Sequence, residues 1–151
     1  MSDVLDVLII GGGPAGLTAA LTLARQVHTV AVFDAGTYRN DVAEFQSMVL
    51  TWDHKTPQAF RTAARENMVS QYESVKIYDV AIETVKKIDD GFQAVDANGK
   101  SWSGKKVILA SGVEDIMPDI DGFKENWGKT MYVIKPNHLG IPSSGCHELL
   151  K

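Results

Sequence analysis

Leu5–Leu17 reads LDVLIIGGGPAGL, and this stretch decides the fold. An apolar run, Val7-Leu8-Ile9-Ile10, opens directly into Gly11-Gly12-Gly13-Pro14-Ala15-Gly16, a GxGxxG fingerprint where a buried strand turns into a helix. Each glycine of the fingerprint answers its own steric need. Gly11 permits the tight turn, Gly13 lets the backbone approach a pyrophosphate, and Gly16 lets the helix pack against the strand. Pro14 suits a first helical turn, and the helix it opens offers unpaired N–H groups and a positive dipole end to phosphates. Alone, such a fingerprint is weak evidence. Here a second strand, Thr29–Phe33, ends in Asp34, eighteen residues after Gly16. An acid so placed accepts hydrogen bonds from a ribose 2′-hydroxyl. The expectation is a dinucleotide site, against a structural glycine-rich turn with Asp34 as a loop or helix cap.

Outward from this unit, Leu17, Ala20, Leu21 and Ala24 recur at helical spacing and predict a helix from Pro14 to about Gln26 with that stripe against the sheet. Residues 35–55 lack clear periodicity, and a loop of that length in a compact domain is usually functional or disordered. A second helix is expected from Thr56-Pro57, with Thr56 as cap and Phe60, Ala63, Ala64, Met68 and Tyr72 on one side. Val75–Tyr78 reads as a third strand. Ala81–Ile88, Phe92–Asp96 and Lys100–Trp102 follow as a small antiparallel meander, with Asp89-Asp90-Gly91 and Asn98-Gly99 as hairpin turns. Lys106–Ala110 is expected as a separate, final buried strand ending at Ser111-Gly112.

At 151 residues the chain suits one domain with a real core. A net charge of −4 without a basic run argues against nucleic acid as a partner. The start is acidic and its apolar stretch is broken at Gly11, so neither a signal peptide nor a membrane span is expected there. The single cysteine, Cys146, excludes an internal disulfide and fits a reducing, cytoplasmic location.

The βαβ unit with GGGPAG, the acid, the helix, the strand, the meander and then KKVILASGVEDIMPDIDGF together resemble the FAD-binding part of thioredoxin-reductase-like flavoproteins. Phe33–Asn40, reading FDAGTYRN, and Thr51-Trp52-Asp53-His54 are similar to the fungal dithiol-oxidase-like branch. The likeness covers about Asp3 to Tyr132. It implies an α/β, Rossmann-like FAD-binding domain with the meander inserted before the last strand. The activity implied is FAD-dependent thiol/disulfide redox chemistry on a small secondary metabolite, with a small-molecule dithiol or disulfide as partner. A homodimer is also admitted.

At matching positions the resemblance implies that Gly11, Gly13, Pro14, Ala15 and Gly16 hold the FAD pyrophosphate and Asp34 the adenosine ribose. Arg39 and Asn40 would lie near the pyrophosphate or ribityl chain, Arg39 as a charge-assisted fork. Trp52, Asp53 and His54 would lie towards the isoalloxazine, Trp52 as pocket wall. Val80 would pair its backbone with the adenine edge, and Ser111 and Gly112 would pass under the cofactor. Blander readings stand beside these: Arg39 as a surface arginine, and His54 as a neutral cap of the helix that begins at Thr56.

From Val133 the likeness breaks off. A second GxGxxG and the Cys-x-x-Cys of that branch are missing from the sequence, so no catalytic residue is assigned. Residues 1–132 then read as an incomplete FAD-binding domain and 133–151 as a divergent, flexible tail: a truncation, a misread splice junction or a diverged end. A catalytically inactive flavin-binding fragment is the alternative to an active oxidoreductase, and an NAD(P)-binding domain is a weaker third. His138, Cys146, His147 and Glu148 match no common metal-site spacing, and no metal is expected.

Overall fold

The computed structural model describes residues 4–127. Its strands are β1 (Leu5–Ile10), β2 (Val30–Phe33), β3 (Val75–Tyr78), β4 (Ile82–Ile88), β5 (Gly91–Asp96) and β6 (Ser101–Leu109), and its helices are α1 (Pro14–Ala24), α2 (Pro57–Gln71) and the short α3 (Phe123–Asn126). The six strands form one sheet in the order β3-β2-β1-β6-β5-β4. β1 pairs in parallel with both β2 and β6, and β2 with β3. β4, β5 and β6 pair antiparallel.

β1 occupies the centre because it is apolar on both faces, as a strand covered from both sides must be. Val7 and Ile9 pack with Leu17, Ala20 and Ala24 of α1 and Met68 of α2. On the opposite face Leu8 packs with Ala31, Phe33 and Ala94, rimmed by Tyr78, Val85 and Trp102. The meander therefore supplies the second cover that a helix would otherwise provide. Phe33, Tyr78 and Trp102 lock that side: Phe33 meets Trp102 edge-on at 5.1 Å, and Tyr78 lies 4.3 Å from Trp102 between ring centres.

The helix stripe expected on α1 faces the core, with Leu21 only partly buried. Thr56 caps α2, its hydroxyl accepting the Ala59 N–H at 3.2 Å. One expectation fails. Lys100–Trp102 and Lys106–Ala110 are not two strands: β6 runs unbroken through Gly104. Its first part pairs with β5 and its second with β1. Gly104 permits this crossing because the space where a side chain would start holds the Leu8 side chain, 2.7 Å away. Both hairpin turns fall where expected, with Gly91 and Gly99 at positive φ.

Candidate functional site

The glycine turn, the end of β2 and the end of β6 meet at the C-terminal end of the parallel strands. Gly11 has φ +117°, and a Cβ there would lie 2.2 Å from the Ala110 carbonyl oxygen. Ser111 therefore abuts the turn: its backbone nitrogen lies 3.1 Å from the same point. A Cβ on Gly16 would lie 1.9 Å from the Gly11 carbonyl oxygen, so α1 sits as close to β1 as a backbone without side chain allows. Gly13 differs from both: nothing lies within 4 Å of its would-be Cβ. Gly13 is also the N-cap of α1, and no side chain caps that end. Pro14 and Ala15 are exposed in the first turn, which carries no acidic residue.

Gly12 has a role the sequence reading missed. A Cβ there would lie 2.1 Å from Oδ2 of Asp34, so the turn and the acid fit together only because this residue is glycine. Asp34 is 3% exposed. Its Oδ1 accepts the Gly36 N–H at 2.9 Å. Its Oδ2 accepts the Tyr38 hydroxyl at 2.5 Å and Arg65 Nη1 at 3.4 Å. Burial, and next the hydrogen bond to Asp34, push the Tyr38 phenol up to about 12.

Around this acid α2 supplies two arginines one turn apart, Arg61 and Arg65. Arg61 is buried, stacks over the Tyr38 ring at 3.6 Å and donates to Asn40 Oδ1 at 3.2 Å and Asp41 Oδ1 at 2.5 Å. Arg65 bridges Asp34 to Asp79. A cleft of about 550 Å³ opens beside them, between α2 and the loop that follows β2. The sequence hid this cluster for a physical reason: Arg61 falls among the apolar positions of α2, and its partners lie about twenty residues upstream in the loop.

The remaining candidates are dispersed. Arg39 donates through Nε to Asp115 at 2.8 Å, tying the loop after β2 to the segment after β6. Asn40 is turned to Arg61. Val80 donates its N–H to the Tyr78 carbonyl at 3.0 Å. Gly112, with φ +74°, is exposed. The His54 side chain is 81% exposed beside Asp53, at 3.4 Å, and Thr56 rather than His54 caps α2. Trp52 packs edge-on against Phe60 at 5.6 Å. Tail residues His138, Cys146, His147 and Glu148 lie outside the described residues, as does all of 133–151. Among the described residues no helix is long and apolar enough to cross a membrane.

With this geometry, residues 5–138 match the family model of pyridine nucleotide-disulphide oxidoreductases. The chain belongs to that family. Among its relatives, a thioredoxin reductase of Claviceps purpurea (tcpT) is 47% identical over 132 residues, covering 86% of this chain and 41% of the relative. A thioredoxin reductase of Aspergillus oryzae (aclD) is 47% identical over 133 residues, covering 87% of this chain and 42% of the relative. The crystal structure of a putative thioredoxin reductase from Bacillus anthracis superposes with a TM-score of 0.78 at 33% identity, covering 83% of this chain and 42% of that one. The chain is thus similar to one part of thioredoxin reductases, and it spans about two fifths of the length of the relatives it matches.

Proposed function

We propose that these residues hold the FAD of an oxidoreductase that exchanges electrons with the thiol or disulfide of a small secondary metabolite. One observation carries the reading. Gly11, Gly12 and Gly16 are each sealed against backbone or Asp34, while Gly13 alone opens outward at the uncapped start of α1. That leaves the backbone at Gly13 and the first N–H groups of α1 open to approach, which fits a pyrophosphate. FAD, when bound, supplies the electron-transfer chemistry. The N–H groups of the first α1 turn would receive the pyrophosphate, Asp34 would accept the adenosine ribose hydroxyl, and Ser111 would border the turn from β6. Fungal relatives named thioredoxin reductases support the redox assignment. The metabolite substrate rests on the Tyr38-Arg39-Asn40 and Trp52-Asp53-His54 resemblance.

A second reading has its own support. Within these 151 residues there is one cysteine and one glycine fingerprint. Disulfide exchange needs two thiols within bridging reach. Taken by itself, the chain therefore suits holding flavin better than completing turnover.

A fluorescence titration with FAD tests the assignment of Asp34. Asp34→Ala should weaken binding by about 1.5–3 kcal/mol, the range for a hydrogen bond to a charged group, and Asp34→Glu should recover part of it. Equal affinities for wild type and Asp34→Ala would remove Asp34 from the site.

A further inference from the structure

Resting on the reading that this chain holds FAD, we infer that Tyr38 is a positioning residue: its hydroxyl occupies one oxygen of Asp34 and leaves the other aimed at the adenosine ribose. An aspartate's terminal torsion is broad and selects no single carboxylate plane. Hydrogen-bond partners must therefore set it. A carboxylate oxygen has two lone pairs. Among the described residues, Oδ2 receives both the Tyr38 hydroxyl and Arg65 Nη1 and is filled, whereas Oδ1 receives the Gly36 N–H and keeps one pair.

Tyr38 is itself held firmly enough to do this. Arg61 lies flat over its ring at 3.6 Å, and Arg61 is fixed on α2 with its fork on Asn40 and Asp41. The order of support runs from α2 through Arg61 and Tyr38 to Asp34. Burial, and next the bond to Asp34, raise the phenol further above its ordinary value, in the direction that favours the protonated donor. Gly12, by lacking a side chain, leaves the room that Oδ2 needs against the glycine turn.

The test compares two ligands on the 151-residue chain: FAD, and an FAD analogue lacking the adenosine 2′-hydroxyl. Tyr38→Phe keeps the ring under Arg61 and removes only the donor. It should weaken FAD by about five- to ten-fold, in the range of one hydrogen bond, and leave the affinity for the analogue nearly unchanged. The thermal midpoint of the ligand-free chain is read beside it, since a tyrosine that merely fastens the loop would lower stability and weaken both ligands alike. Equal losses on both ligands, or no loss on FAD, would overturn the role of Tyr38. Failure of the underlying reading looks different: a wild-type chain that binds neither ligand, or both equally well, has no Asp34–ribose contact, and the role of Tyr38 falls with it.

Discussion

Gly13 and Gly16 stand three residues apart in one turn, yet a side chain on each meets opposite surroundings. At Gly13 it enters open space, at φ −75° that any residue adopts. At Gly16 it collides with the Gly11 carbonyl oxygen. Gly13→Val should therefore keep the fold and its thermal midpoint while losing flavin binding, and Gly16→Val should fail to fold. Circular dichroism melts with FAD titrations separate the two; a Gly13→Val chain that binds FAD like the parent would take the phosphate site away from this turn. Much of the site is legible at this scale, because backbone demands select glycine and a strand-end acid visibly in sequence. What stays hidden is pairing between distant side chains. Arg39, expected near the pyrophosphate or ribityl chain, also pairs with Asp115, and the Tyr38–Arg61 stack brings together residues that nothing in local spacing relates.

β6 is the element whose sequence misleads. Gly104 interrupts its β-forming residues and looks like a break between strands, but two different partners hold the flanks in one line. Pairing with β1 and β5 overrides a weak local preference. Gly104→Val drives a side chain into Leu8 and should cost about 1–3 kcal/mol by overpacking; urea unfolding measures it, and an unchanged midpoint would contradict the close approach. β1 is tied at its start in a second way. Asp6 accepts from Lys105 at 2.7 Å and from the Thr29 N–H and hydroxyl at 2.9 Å each, joining β1 to β6 and to the residue before β2. The Lys105 bond, and next those from Thr29, hold the Asp6 carboxyl well below the usual carboxylate range. A folded-state pKa depressed in this way gives stability that is present above the unfolded value, about 4, and is lost as pH falls through the lower folded value. Asp6→Asn should therefore lower the thermal midpoint at pH 7, and its gap to wild type should shrink as pH drops below about 4. A gap that stays constant into acid would exclude an electrostatic clip.

For the whole molecule, the sheet order follows from hydrophobic pattern and turn chemistry read together. β1 and β2 are largely apolar and take interior positions of the sheet, while the Gly91 and Gly99 turns place the meander at one edge. The meander's second duty, covering Leu8 and Phe33, was not legible, because it brings Ala94, Val85 and Trp102 against residues of β1 and β2 that lie far away in sequence. The assembled chain presents a single glycine fingerprint and a single cysteine. The proposal is that these 151 residues hold flavin at that fingerprint and, with one fingerprint and one cysteine among them, do not reduce it with NADPH on their own. The most direct measurement is the visible absorption spectrum of the 151-residue chain titrated with FAD and then given NADPH under anaerobic conditions. The flavin bands should shift and saturate at one flavin per chain and then keep their intensity when NADPH is added. A spectrum indistinguishable from free FAD, or bands that bleach on adding NADPH, would contradict it.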